Sequence, residues 1–235
     1  MIHSFIKLYM RTTFVFLLFL TTHLSLAQSN GGNGSVLGTL DPNFLNNDLV
    51  FNTELYKDYE GSPYLLDEFK EGCLYFYNGT ELCDVKVNYD AHQNSIVVQK
   101  DNTKELSYIK SEFVKSFKAG DYDYQKLSLG DDFPKSYVKV IYSSEGLSLY
   151  EYSEITLRHR DTQGNTGYSS ATKKSKYFDV DVSFVLVEAD KTYSDSRIHK
   201  VLKNLSNYKQ LKDYMDSKDM DHKDPNSVRI ALNYY

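Results

Sequence analysis

Apolar and polar residues alternate along most of this chain, and alternation with period two predicts strands. The clearest run is Tyr177 to Val187, where Phe178, Val180, Val182, Phe184 and Leu186 point inward and Asp179, Asp181 and Ser183 outward. Ser136 to Ser143 alternates in the same way. Ser144-Glu145-Gly146 then turns into Leu147 to Leu157, which makes a hairpin. Ser95 to Gln99 is a strand after an Ala91–Asn94 turn. Phe113, Val114 and Phe117 fall on a short strand or edge, and Asp121-Tyr122-Asp123-Tyr124 on a turn or edge. Further upstream, Leu49 and Phe51 alternate within a short strand over Asn47 to Leu55.

The stretch from Gly72 to Asp90 reads as another hairpin, with Asn78-Gly79 as its turn signal and Cys73 and Cys83 on its two arms. Two registers compete. A three-residue loop, Tyr77-Asn78-Gly79, puts Leu74 opposite Leu82 and Cys73 opposite Cys83, within reach of a disulfide. A two-residue loop instead puts Cys73 opposite Asp84 and sends the sulfurs to opposite faces. The disulfide and the longer loop therefore stand or fall together. Cys73 and Cys83 are the only cysteines, and they lack the Cys-x-x-Cys spacing of a redox motif.

Helical signals are confined to two places. Gly61 to Phe69 reads as a short helix, with Ser62 as cap and Pro63 at the first position. After Asp190 the period changes: Ile198, Val201, Leu202 and Leu205 fall at helical spacing behind Ser194 or Ser196 as cap. Ser206 caps a second helix with Tyr208, Leu211, Tyr214 and Met215. Asp224-Pro225 opens a third with Val228, Ala231, Leu232 and Tyr235. The expected fold is α+β: an antiparallel sheet of six to ten strands, a sandwich or partial barrel, over 44–190, with the helices of 191–235 packed on it. Arg158 to Lys174 is polar and rich in Gly, Ser and Thr. It reads as a long exposed loop, with Tyr168 as the candidate exposed binding contact.

The first 27 residues change the setting. Lys7 and Arg11 precede an apolar run centred on Phe14 to Leu20, and Ser25-Leu26-Ala27 supplies the small residues of a cleavage site. This is a secretory signal peptide, cut after Ala27, with a Gly/Asn/Ser-rich disordered leader at 28–43. The expected location is periplasmic, outer-membrane-associated or extracellular, with no transmembrane segment once the signal is removed. The whole chain has 27 Lys+Arg against 32 Asp+Glu. Removing two basic signal residues leaves 25 against 32, a charge of −7, which argues against nucleic acid as a partner.

Gly61-Ser62-Pro63-Tyr64-Leu65, then Phe69, Gly72 and Val85 to Asp90, together resemble an uncharacterised family of secreted proteins common in Bacteroidota-type bacteria. Members show GSPYL, an F-x-x-G and a hairpin ending in a YN or YD pattern. Asn88 stands here where many of them carry Arg, and the two cysteines are not part of their pattern. The resemblance implies export and a sheet-rich fold and carries no activity with it.

Catalytic signatures are scarce. The sequence has no Gly-rich phosphate loop, no G-x-S-x-G, no H-E-x-x-H and no zinc cysteine cluster. His92, His159, His199 and His222 are scattered singly. Asp216, Asp219, Asp221 and Asp224 crowd one inter-helix connection, without the spacing or turn glycine of a calcium loop. No catalytic residue, metal ligand or cofactor is assigned. The 21 tyrosines are the one compositional excess; they suit half-buried strands and also supply rigid contact area for a glycan or protein. The leading expectation is a non-enzymatic periplasmic or cell-envelope binding or scaffold protein, with an envelope protein or glycan as partner. The alternatives are an envelope hydrolase with Asp/Glu groups assembled by the fold, and an outer-membrane-associated barrel-like protein.

Overall fold

The computed structural model describes residues 56–99, 106–160 and 175–234. The strands are β1 (Tyr59–Glu60), β2 (Lys70–Phe76), β3 (Glu81–Asp90), β4 (Ser95–Gln99), β5 (Leu106–Lys110), β6 (Val114–Ala119), β7 (Tyr122–Leu127), β8 (Ser136–Ser144), β9 (Leu147–His159), β10 (Lys176–Glu188) and β11 (Lys191–Asp195). All eleven belong to one mixed sheet, ordered β1-β10-β9-β8-β7-β6-β2-β3-β4-β5, with β11 also on β10. Among the described residues only β1 on β10 is parallel, and every other pairing is antiparallel. The helices are α1 (Ile198–Val201), which runs into a 3-10 turn at Leu202–Asn204, α2 (Tyr208–Ser217) and α3 (Pro225–Tyr234). The signal peptide, the leader, the strand expected at Asn47–Leu55 and Tyr168 lie outside the described residues.

The sheet is open yet strongly curled. Four strand steps separate β3 from β8, about 19 Å in a flat sheet. Even so, the Tyr89 and Tyr137 rings meet edge to face with centroids 4.9 Å apart. The face bearing them also carries Leu74, Leu82, Phe117 and Tyr124, linked across the strands in register and all buried. Farther along the same face, α1 to α3 cover β8 to β10. There Ile141, Leu149, Phe184 and Leu186 pack with Ile198, Leu202, Leu211, Met215, Val228 and Leu232. Asp224 caps α3 as its sequence suggests, its Oδ2 accepting from the Ser227 N–H at 2.9 Å.

The β2–β3 hairpin takes the three-residue loop. Phe76 N–H donates to Thr80 O at 3.0 Å, Gly79 N–H to Phe76 O at 3.1 Å, and Gly79 has φ 85°. Leu74 pairs with Leu82, and the register then slips by one residue before Gly72 pairs with Val85. Cys73 therefore faces both Cys83 and Asp84, a bulge with Asp84 at φ 58°. The two sulfurs lie at disulfide distance, with Cα atoms 4.0 Å apart.

Several expectations need correction. Gly61–Phe69 is not a helix but an irregular strap lying along the end of β3. Its backbone is satisfied there: Leu65 N–H donates to Tyr89 O at 2.9 Å, and Ala91 N–H to Pro63 O at 3.0 Å. Asn88 closes the contact from its side chain, donating to Leu66 O at 2.9 Å and accepting from Leu66 N–H at 3.0 Å. Partners outside the segment thus outcompete a helix only two turns long. The Val114 region is a strand and Gly120–Asp121 a turn, as one reading of each has it, but neither is an edge, since β6 and β7 lie inside the sheet. Ser194 and Ser196 cap nothing: Asp195 Oδ1 accepts the Arg197 N–H at 3.0 Å before α1. Ser206 likewise binds Glu188 rather than α2, where Asn207 stands at the cap.

Candidate functional site

A cleft of about 380 Å³ lies between the strap and the middle of the inner sheet face. The sheet supplies one residue from each of three neighbouring strands: Tyr124 on β7 pairs with Lys139 on β8, which pairs with Glu151 on β9. Register alone places these three side by side, because residues directly opposite share a face. Ser153 follows Glu151 two residues along β9, and the strap contributes Leu65, Leu66, Asp67 and Glu68, with Lys70 at the start of β2. The cleft sits where the aromatic packing of the curled sheet ends and the helical cover has not begun.

Its charges are largely matched. Lys139 Nζ lies 3.3 Å from Glu151 Oε2, and both side chains are about four-fifths buried. Lys139 also stands 4.0 Å from the Tyr122 ring centroid, and the Arg229 guanidinium of α3 sits 4.8 Å from the same centroid. Glu68 pairs with Lys70, which holds its carboxyl below the ordinary value. Burial, reinforced by the Glu151 charge, pushes the Tyr124 phenol well up, so it stays a neutral hydrogen-bonding group. The Tyr124 ring stacks on Phe117 at 4.7 Å between centroids, which fixes its position.

Beyond Ser153 no described element covers the inner face. Val182 pairs with Ser153 and Val180 with Ile155, continuing the face that bears Glu151 and Phe184. Val180 is 50% exposed and Val182 37%. The alternation of β10 is therefore as the pattern predicts, but only Phe178, Phe184 and Leu186 of its five inward residues are buried. Tyr56 and Tyr59 pack on Phe178 at one end and the helices cover Phe184 and Leu186 at the other. The two valines lie between these covers.

A second polar cluster surrounds Asp90, which is wholly buried. Its Oδ2 accepts from the Tyr56 hydroxyl at 2.9 Å and its Oδ1 from the Gln93 N–H at 2.9 Å. Burial raises its carboxyl above the usual range. Tyr64 and Tyr108 share a hydroxyl contact at 3.4 Å, and burial raises both phenols. Each buried side-chain polar atom among the described residues has a partner. Asp90 thus ties the β3–β4 turn to Tyr56, and its side chain is closed off from solvent.

Of the other candidates, His199, Asp216, Asp221 and His222 line one open surface pocket, and the rest lie apart. His92 packs at 5.5 Å against Phe178, and His159 is the last residue of β9. His222 Nε2 lies 2.7 Å from Asp216, which Lys212 also holds, and the carboxyl is kept below its ordinary value. Asp221 accepts the Lys223 N–H, and Asp224 is a helix cap. Asp179 and Asp181 share the outer face with Arg158, 2.7 and 3.9 Å from its guanidinium. Among the described residues, no three His, Cys, Asp or Glu side chains stand together as metal ligands, and no helix is long and apolar enough to cross a membrane. Sequence reasoning missed Tyr124, Lys139, Glu151 and the strap, since they converge through register and curl rather than through spacing. No protein-family model, no curated protein and no solved structure matches the chain.

Proposed function

We propose that this is an exported, non-enzymatic binding or scaffold protein of the periplasm or cell envelope, with the cleft at Tyr124, Lys139, Glu151 and Ser153 as its binding site. In this reading the curled sheet is a partial barrel or sandwich that cradles an envelope glycan or protein segment. The observation that carries it is the cleft's make-up. A fixed aromatic ring and a matched Lys–Glu pair offer donors and acceptors with little net charge, next to uncovered valines. Export rests on the charged and apolar pattern of residues 1–27. The paired cysteines fit an oxidising compartment.

A hydrolase reading would draw on Asp67, Glu68 and Glu151 lining one cleft. A general acid needs a carboxyl raised toward neutrality. Glu68 is instead lowered by Lys70, and Glu151 faces Lys139. Among the described residues the carboxyl that is raised is Asp90, and it is buried away from solvent.

Fractionation of the native host into medium, periplasm and membranes, with intact mass of the product, tests the location. The expected product begins at Gln28 and leaves the cytoplasm; an unprocessed cytoplasmic protein overturns the reading. A thermal-shift screen of envelope glycans and peptides tests the cleft. A hit should shift the native protein and fail on Ser153→Arg, which fills the cleft without touching the core. A shift that survives Ser153→Arg places binding elsewhere.

A further inference from the structure

Among the described residues, one edge of β10 carries two strands at its ends and none in between. On that edge β1 pairs with Lys176 and Tyr177, and β11 pairs with Phe184 to Glu188. The gap has a local cause on each side. After β1 the chain passes Gly61 against Phe178, where an added Cβ would lie 3.0 Å from the Phe178 carbonyl oxygen, and φ is 81°. It then leaves the edge as the strap. From the other end, the turn at Ala189 folds β11 back only as far as Asp195, beyond which the chain enters α1. Among the described residues, no strand pairs with Asp179–Ser183 on this edge. Alternate residues of that window point their N–H and C=O groups outward from β9.

Edges of this kind are ordinarily blunted by charged side chains, prolines or bulges. Here the inner face of the window is apolar and exposed, at Val180 and Val182. The outer face is acidic: Asp179 and Asp181 stand beside Glu154, which pairs with Asp181, and among the described residues Arg158 is the one cation with them. Asp181 is 72% exposed at its side chain. A second copy adding its own window antiparallel about Asp181 would set carboxylate against carboxylate at the centre, an unfavourable pairing. A foreign strand with basic residues on one face and β-branched residues on the other meets both faces favourably.

We infer that Asp179–Ser183 is a strand-addition site for an extended segment of a partner protein, alternating Lys or Arg with β-branched residues. Backbone hydrogen bonds to β10 supply the register, Val180 and Val182 receive the apolar side chains, and the open carboxylate of Asp181 with its neighbour Glu154 receives a basic one. This surface is separate from the Tyr124–Glu151 cleft and does not depend on it.

The probe is a fluorescein-labelled heptapeptide of alternating Lys and Val, titrated onto the full mature chain by anisotropy. Its controls are the same peptide with proline for the central valine and a Glu/Val counterpart. Binding of the Lys/Val peptide is expected, with both controls at least tenfold weaker and slowed amide exchange confined to the β10 window. Val180→Lys should weaken binding at least tenfold with unchanged circular dichroism. Asp181→Asn, on an open side chain, should weaken it as well and serves if the first variant misfolds. Equal binding of the proline peptide would reduce the effect to plain charge attraction and overturn the site. Failure to bind, or protection elsewhere, overturns it too. A native dimer that Val180→Lys dissociates would reassign the edge to self-pairing.

Discussion

Replacing Gly72 with alanine tests the central geometry of the sheet. At that point β2 runs between β3 and β6, and the β6 backbone comes unusually close. A Cβ on Gly72 would lie 1.8 Å from the Lys118 carbonyl oxygen, 2.8 Å from its carbonyl carbon and 3.1 Å from Val87 Cγ1. Two of those three atoms are backbone, so no rotamer change relieves the contact. Gly120 N–H donates to Glu71 O at 2.9 Å, tying β6 to β2 at the same place. Overpacking in a core costs about 1–3 kcal/mol where side chains can yield. With backbone in the way, Gly72→Ala should cost about 3–4 kcal/mol. For a chain of this size that lowers Tm by about 6–16 °C. Gly79→Ala is the control. Its φ of 85° makes alanine unfavourable by about 1–2 kcal/mol, but no atom lies within 4 Å of the added Cβ. Urea and thermal unfolding of the two variants should therefore separate them clearly. If Gly72→Ala unfolds within about 0.5 kcal/mol of the native protein, the close approach of β6 does not exist as described.

Three further outcomes follow from particular contacts. Intact mass with and without reductant and alkylator should show Cys73 and Cys83 protected until reduced, and Cys73→Ser/Cys83→Ser should lose about 2–3 kcal/mol in urea unfolding. Asp90 binds its proton more tightly folded than unfolded, so its contribution favours the fold at low pH and is lost as pH rises above the ordinary carboxylate value. Asp90→Asn lacks that dependence. Its stability relative to the native chain should rise between pH 3 and pH 7 (an interval of about four units around the carboxylate range), and a flat or falling difference rejects the assignment. Asp224 behaves oppositely: its hydrogen bonds to Ser227 lower its pKa, so its cap is lost as pH falls through that lowered value. Asp224→Ala should cost about 1 kcal/mol at neutral pH and little in strong acid.

Much of the sheet is written in local pattern, and the parts that are not have identifiable causes. The β8–β9 hairpin and β10 were legible because long alternation meets a Gly turn at Gly146, which takes φ 79°. The register of the β2–β3 hairpin was legible because Gly79 allows the three-residue loop that aligns Leu74 with Leu82. Lys191–Asp195 was not. Its turn uses Ala189 at φ 51°, a residue that gives no turn signal, and its five residues have little apolar pattern. Gly61–Phe69 misled because Ser-Pro followed by acidic residues suits a helix start, whereas the Asn88 side chain and the Tyr89 carbonyl lie in another part of the sequence. The cleft was hidden for the same reason. Tyr124, Lys139 and Glu151 are adjacent only after three strands are aligned.

The inner face of the sheet is covered by different means along its length. Near β3 the curl brings Tyr89 onto Tyr137, and the sheet covers itself. Near the β8–β9 turn, three helices bury Leu149 and Leu186. Between these regions the face changes from apolar to mixed, and Tyr124, Lys139 and Glu151 stand where a continuous core would carry three hydrophobic residues. A largely buried Lys–Glu pair gives a fold little stability compared with well-packed apolar side chains of the same volume. The same is true of Val180 and Val182, which keep the inward pattern of β10 but remain exposed. Neither feature is the most stabilising choice for an isolated sheet. Both lie at the interruption in its cover, and each offers the chemistry that a bound partner would use: hydrogen-bonding groups in the cleft and apolar side chains along an open strand edge.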